Sequence, residues 1–338
     1  MEILDQLAVG LGFATLAGIN LYLVTFVTGL AIRFHWVLLD ERFTDLQVLG
    51  SPPVLAVAGV LLVVETFADK IPWVDSLWDG FHTIIRPVGG GLLAVSAIGT
   101  TRPEYDVIIA LVAGGATLMS HGLKAGTRVV VNGTPEPVSN LVVSTAEDVA
   151  VIGGLALMSS EPKLFAGLCI VFLCLCVIII PKIVRRVRAF CWLVWNNVAG
   201  DRPTDLPFGL TAPQHAALLG KALDPEILWS VPVVTGRGKG LAEVRSWVIG
   251  KLVAVRGTGS RTRLFFVGKT WRRTFCTELP SDVPLVIRHE RGLLGEKLAI
   301  YDTAGTFLAH FRVPRSQGKL HERVAAALGS SRSGLLAA

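Results

Sequence analysis

Six apolar stretches occupy the first 180 residues: Leu7–Ile32, Val54–Ala68, Val88–Ile98, Val107–Met119, Leu141–Met158 and Leu164–Ile180. A bilayer core offers no water to unpaired backbone groups, so runs of this kind have to become helices. A straight crossing needs about 20 residues. The first run is long enough and the last nearly so, while the third and fourth are short and Gly89-Gly90-Gly91 opens the third. Short, glycine-broken segments suit half-helices, or helices buried among neighbours, better than lipid-facing spans.

The rest of the chain is of a different kind. Of 338 residues, 51% are hydrophobic and 17% charged, which leaves room for a soluble part beside a membrane part. Residues 1–200 carry 12 basic and 15 acidic groups, and residues 201–338 carry 20 and 11. A nearly neutral membrane half therefore precedes a basic one. The expected organisation is an α-helical polytopic membrane domain of about six transmembrane segments over 1–190. A linker with a short helix follows over 191–228, then a small β-rich domain over 229–330 and a flexible tail over 331–338. Glu2 and Asp5 stand before the first run where a signal peptide would be basic, so that run reads as a retained helix.

Two short patterns recur. Ala14-Thr15-Leu16 is followed by Pro53 and, twelve positions on, Glu65; Ala116-Thr117-Leu118 is followed by Pro135 and, twelve positions on, Glu147. These read as diverged copies of one unit, although an apolar sequence can give such matches by chance. Lys182, Arg185, Arg186 and Arg188 after the sixth run mark that end as cytoplasmic. Six crossings then put the N-terminus on the same side. Each copy holds three helices, and an odd number inverts the second against the first, as in several transporter folds.

Residues 73–88 place Val74, Leu77, Trp78, Phe81, Ile84, Ile85 and Val88 on one helical face and Asp75, Asp79, His82 and Arg86 on the other. The favoured reading is an amphipathic helix lying in the interface, with Trp73 and Trp78 as anchors. An acidic mouth that attracts cations is the alternative.

Gly18-Ile19-Asn20-Leu21-Tyr22, Ala68-Asp69-Lys70-Ile71-Pro72, Val74-Asp75-Ser76, Trp78-Asp79, Arg86-Pro87 and Pro137-Val138-Ser139-Asn140 leading to Glu147-Asp148 carry a resemblance. Over residues 10–185 the chain resembles an uncharacterised bacterial multi-pass membrane family, a domain of unknown function. The resemblance implies a shared membrane architecture in a bacterial cytoplasmic (inner) membrane, and supplies no substrate.

Ionised carboxylates in hydrocarbon cost at least ~2.5–3.5 kcal/mol, so acids inside apolar runs are functional candidates. Glu147 lies six residues, or ~9 Å, into the fifth run, close to mid-membrane. Glu65 lies about four residues, or ~6 Å, from the end of the second. Glu147 is accordingly the primary ion- or proton-binding candidate, with Glu65, Asp69 and Asp148 assisting. A helix–helix salt bridge at Glu147, and an interfacial cap of Glu65 and Asp69 around Lys70, are the plain alternatives. His121, Lys124 and Arg128 share one face if the fourth helix continues past Met119; Lys124 and Arg128 would line or neutralise the site. Gly122 and Gly126 could instead break that helix. Gly18 and Asn20 occupy the matching zone of the first copy, where a break would expose backbone groups to an ion.

Carboxylates converging from two repeats would suit hard cations such as Mg2+, Mn2+ or Ca2+. Glu65-x-x-x-Asp69-Lys70 resembles, at one residue's remove, the acidic motifs of cation/proton exchangers built from inverted three-helix repeats. No nucleotide-binding glycine loop, nucleophile–base set or metal-ligand spacing is present, so no enzyme activity and no cofactor are expected. The five cysteines read as packing residues or isolated thiols.

Beyond residue 229 the pattern turns to short β-rich runs: Ser230–Thr235, Trp247–Val255, Arg263–Val267, Arg273–Thr277, Pro284–Arg288, Leu298–Tyr301 and Thr306–Val313. A helix over Lys319–Leu328 follows. Seven strands and a helix suit a small barrel of pleckstrin-homology-like type. Arg237, Lys239, Arg245, Lys251, Arg272 and Arg273 belong to a basic stretch holding one acid, Glu243. Near a cytoplasmic leaflet it could bind anionic headgroups at ~1 kcal/mol per residue. Nothing supports nucleic-acid readout, and the oligomeric state is left open.

The function expected is therefore a transporter or ion pathway for a cation or a proton-coupled solute. The alternative is a non-transporting anchor that presents a basic lipid- or partner-binding domain.

Overall fold

The computed structural model describes residues 2–37, 41–71, 74–99, 102–132, 137–199, 209–222, 226–236, 244, 246–256, 262–270, 273–279, 285–292, 295–302 and 305–315. Two compact units emerge, Met1–Val184 and Arg185–Ala338.

The first unit contains α1 (Glu2–Arg33), a 3-10 helix (Glu41–Gly50), α2 (Pro52–Ala68), α3 (Val74–Ile98), α4 (Pro103–Asn132), α5 (Pro137–Ser160) and α6 (Pro162–Ala199), whose residues beyond Val184 belong to the second unit. Among the described residues five helices are long and apolar enough to cross a membrane. The count is six if the 3-10 helix and α2, bent by 68° at their junction, form one broken span. The third and fourth apolar stretches prove to be parts of helices of 25 and 30 residues. Hydropathy alone clips them because polar residues occupy one face of each.

Helix α1 runs through the middle of this unit, burying Phe13, Leu16, Ala17, Leu21 and Val24. Small residues let its neighbours come close: Ala14, Ala94, Ala113 and Ala116 meet as one buried cluster. The Thr117 hydroxyl lies 2.7 Å from the carbonyl of Ala14 and 2.9 Å from that of Ala113, tying α4 to α1. A side chain at Gly18 would run into Ser120 and the Thr117 and His121 backbone.

Helix α3 overturns the interfacial reading of residues 73–88. Asp75, Asp79, His82 and Arg86 are buried, while Leu77, Phe81, Ile84, Ile85 and Val88 are exposed. The helix is inside-out by the standard of a soluble protein, with its polar stripe toward the other helices. Lipid accepts the apolar face and cannot accept the charged one. Trp73 lies outside the described residues.

Among the described residues of the second unit seven strands appear where the alternation places them: β1 (Glu226–Thr235), β2 (Ile249–Arg256), β3 (Thr262–Lys269), β4 (Thr274–Glu278), β5 (Leu285–Gly292), β6 (Gly295–Asp302) and β7 (Phe307–Val313). They form one sheet in the order β4-β3-β2-β1-β7-β6-β5, and every pairing is antiparallel. Leu252, Ala254, Leu264, Phe266, Ile300 and Phe311 line one core. Val253, Val255, Phe265 and Val267 face the opposite way, and Leu210, Leu218 and Ala222 cover them. Both faces of β2 and β3 are thus buried, which accounts for the apolar character of their sequences. Leu218 belongs to α7 (Ala212–Leu219), which opens on a capping box of Thr211 and Gln214. Of the basic candidates, Lys251 stands on β2 and Arg273 is exposed before β4. Arg237, Lys239, Arg245, Arg272, the linker residues 201–208 and the helix expected at Lys319–Leu328 lie outside the described residues.

Candidate functional site

Five segments of the membrane unit bring their charged residues together. The end of α2 supplies Glu65 and the residue that caps it, Asp69. Helix α3 supplies Asp75, Asp79, His82 and Arg86, spaced along one helical stripe. Helix α4 continues unbroken past Gly122 and Gly126, so His121, Lys124 and Arg128 do share a face. Helix α5 contributes Glu147 and Asp148.

The fifth contribution is a break in α1. Asn20 has φ −149° and ψ 95°, far from helical values. Its Oδ1 accepts from the backbone N–H of Leu23 at 3.0 Å and so caps the second half of the helix. Its Nδ2 donates to Asp148 Oδ1 at 3.0 Å. The carbonyls freed at the end of the first half are taken by cations. Arg86 Nη1 donates to Gly18 O at 3.1 Å, and Lys124 Nζ to Ile19 O at 3.0 Å.

Around these atoms runs a continuous ion-pair network. Arg86 Nη2 meets Glu65 Oε1 at 2.5 Å and Asp79 Oδ1 at 3.5 Å. Lys124 Nζ meets Asp69 Oδ2 at 3.1 Å, Glu65 Oε1 at 3.3 Å and Glu147 Oε2 at 3.7 Å. Arg128 Nη2 meets Glu147 Oε2 at 2.7 Å and Asp69 Oδ2 at 3.3 Å; its Nη1 lies 3.8 Å from Asp75 Oδ2. Arg86 and Arg128 have fully buried side chains, while that of Glu147 is 16% exposed.

His121 adds no charge. Arg86 Nη1 donates to His121 Nδ1 at 2.7 Å, which leaves Nε2–H to donate to the carbonyl of Asp79 at 3.0 Å. His82 Nδ1–H donates to the carbonyl of Trp78 at 2.8 Å, and its Nε2 lies 2.8 Å from the Tyr22 hydroxyl. The His121 ring is held as a neutral tautomer by its partners.

Six carboxylates (Glu65, Asp69, Asp75, Asp79, Glu147, Asp148) thus face three cations (Arg86, Lys124, Arg128). With every acid ionised the cluster carries three more negative than positive charges. A buried excess of that size has to be met by protons or by a bound cation. Glu65 Oε2, Asp69 Oδ1 and Asp79 Oδ2 are buried and accept no hydrogen bond. Among the described residues no three His, Cys, Asp or Glu side chains are arranged to hold a metal ion. The divalent-cation expectation therefore finds no preformed site there.

All seven residues singled out in the membrane half (Glu147, Asp148, Glu65, Asp69, Asn20, Lys124 and Arg128) fall in this cluster. Glu65 is wholly buried, and Glu147 is the acid nearer the surface. Counting residues along an apolar run gives height within a slab and carries no information on lateral burial. The residue that sequence reasoning missed is Arg86, together with Asp75 and Asp79. Their signal, a polar stripe at helical spacing, was assigned to the wrong environment.

The family described as Domain of unknown function (DUF4126) matches residues 7–182, and the chain belongs to it. No curated protein matches. Among solved structures, the linker-DH/PH domains of p115-RhoGEF match at 11% identity over 98% of this chain and 97% of that one. The TM-score of 0.23 is too low for the likeness to carry an argument.

Proposed function

We propose that this member of the family is an integral membrane transporter or ion pathway, for a cation or a proton-coupled solute, working through the buried ion-pair cluster. The charge imbalance carries the proposal: six carboxylates against three Arg and Lys cations, with His121 held neutral. A purely structural network gains nothing from surplus charge, since buried ion pairs barely repay their desolvation even when matched. An exchange site needs such a surplus, because the ion or proton that neutralises it has to come and go.

In this reading Glu147, the partly exposed acid, takes up the ion or proton, and Glu65 is the occluded partner. Asp69 and Asp148 assist, while Lys124 and Arg128 balance charge. Helices α1–α3 and α4–α6 would form an inverted 3+3 repeat. Two observations support that: Glu65 and Glu147 sit on the second helix of each half, and both reach Lys124. Thr117 of the second copy also bonds Ala14 of the first. The C-terminus would lie in the cytoplasm of a bacterial inner membrane. The β-rich unit would be a pleckstrin-homology-like domain that meets anionic lipid.

Reconstituted in liposomes with a pH or cation gradient, the wild-type protein should dissipate that gradient. Glu147→Gln should slow it at least ~10-fold, the loss of roughly 1.4 kcal/mol or more of differential ion binding. A neutralised basic stretch in the second unit should leave flux unchanged. Equal flux in wild-type and Glu147→Gln liposomes, or none in either, would hand the lead to a non-transporting anchor.

A further inference from the structure

We infer that α1 does not cross the bilayer but enters and leaves it on one face, as a re-entrant hairpin whose tip at Gly18–Asn20 stands in the ion-pair cluster. The start of α1 then lies outside the cytoplasm, opposite the basic end of α6. This path of the chain is independent of the transport reading.

Length gives the first reason. A continuous helix of 32 residues would measure about 48 Å, against ~30 Å of hydrocarbon. The break at Asn20 divides it into limbs of about 27 and 20 Å.

Neighbours of the two limbs give their direction. Helices α2 and α3 meet at one face, where Arg128 lies 3.3 Å from Asp69 Oδ2 and 3.8 Å from Asp75 Oδ2. The start of α2 and the end of α3 therefore share the other face. On the first limb of α1, Gln6 Nε2 donates to the carbonyl of Ile98, at the end of α3, at 3.1 Å. On the second limb, a Cβ on Gly29 would meet Leu49 O and Leu55, at the start of α2. Between these points Arg86 takes the carbonyl of Gly18, and Arg86 stands about 18 Å along α3 from Ile98. The chain thus leaves that face, reaches the cluster and comes back. Asp5, Val9 and Phe13 accordingly line one apolar cavity together with Thr28, Ala31 and Ile32. Along a straight helix Asp5 and Ile32 would be about 40 Å apart.

Non-helical backbone at membrane depth is tolerated only where protein encloses it. Asn20 is buried, and the freed carbonyls of Gly18 and Ile19 are taken by Arg86 and Lys124. Helices α2 to α6 make the crossings. Gly12 against Met158 returns α5 to the face of the α1 limbs, and Gly126 against Ile183 carries α6 to the face of Asp69. Lys70, Lys124, Arg128 and Lys182 lie toward that second face, with Arg185, Arg186 and Arg188 next in sequence. Arg33, Arg42, Arg102 and Lys163 lie toward the first. The positive-inside rule makes the second face cytoplasmic. Six crossings would instead put the start of α1 in the cytoplasm, because a long apolar run reads alike whether the chain passes through or turns back.

The test treats intact cells that express the full-length protein with a charged maleimide unable to cross the cytoplasmic membrane. Modification is read at each site by mass spectrometry before and after lysis. Ile3→Cys, at the exposed start of α1, and Gln47→Cys, exposed on the 3-10 helix, should both be modified in intact cells. Lys70→Cys, exposed at the opposite face, should be modified only after lysis. Modification of one of the first two without the other would refute the hairpin, since α1 would then be a span. Protection of both, with Lys70→Cys open, would refute the placement outside the cytoplasm.

A second measurement needs no access from outside. Val9→Cys and Ala31→Cys, combined in one purified chain, should be joined by a short bis-maleimide, whereas a straight helix would hold them about 33 Å apart. Two thiols that react singly and never cross-link would overturn the hairpin by themselves.

Discussion

Arg86→Met is expected to cost the membrane unit ~3–5 kcal/mol, the penalty for stripping one partner from a buried ion pair. The guanidinium does four things at once. It pairs with Glu65 and Asp79, donates to His121 Nδ1, and closes the free carbonyl of Gly18 at the break in α1. Met keeps much of the volume and none of the donors, leaving Asp79, one ring nitrogen and one carbonyl buried without their cation and Glu65 with Lys124 alone. In a unit of this size that corresponds to a fall in melting temperature of roughly 10 °C or more. Adding Glu65→Gln should recover a large part of the loss, because a neutral pair no longer strands a charge. Thermal unfolding of the two variants beside wild type measures both effects. A single variant as stable as wild type would mean that the network is not a coupled unit.

Gly18→Leu should be comparably damaging for a different reason. The new Cβ would overlap Ser120 Oγ and press on the Thr117 carbonyl and the His121 N–H, two of which are backbone atoms that cannot rotate aside. Helix α4 would have to retreat, and overpacking of this kind costs about 1–3 kcal/mol, more where backbone must move. Retreat would also separate Lys124 from the carbonyl of Ile19, so flux should fall along with stability. Gly80→Ala is the matched control. Gly80 is exposed on α3 and a Cβ there meets nothing within 4 Å. Removing a helical glycine should gain roughly 0.5–1 kcal/mol. Melting temperatures that move equally for the two variants would contradict the close α1–α4 contact.

Much of this arrangement could be read from residues. The strands follow from period-two alternation, and a short helix was expected in the linker that holds α7. The shared face of His121, Lys124 and Arg128 follows from helical spacing. The break at Gly18–Asn20 was legible because a short polar side chain in an otherwise apolar run can cap a new helix from within. What periodicity cannot give is the direction in which a face points. Asp75, Asp79, His82 and Arg86 make the same stripe whether they face water or a polar interior. Only the partners on α1, α2 and α4, distant in sequence, decide between these. Glu65 was underrated for a related reason: nothing local announces that Arg86 will stand 2.5 Å from it.

The inside-out character of α3 bears on how the protein is made. A helix carrying two aspartates in its first turns and an arginine at its middle would meet up to about 2.5–3.5 kcal/mol of resistance per charge near mid-bilayer if released into lipid alone. Glu65 precedes α3 in synthesis and Arg86 answers Asp79 within it, but Arg128, which faces Asp75, arrives only with α4, 53 residues after that acid. A nascent chain ending after α3 would therefore hold acids whose cations do not yet exist. Insertion of α3 should wait, at the translocation machinery or at the membrane surface, until α4 emerges to meet it. Assembly of this bundle should then be cooperative between neighbouring helices during synthesis, with α3 and α4 expected to enter a bilayer as a pair.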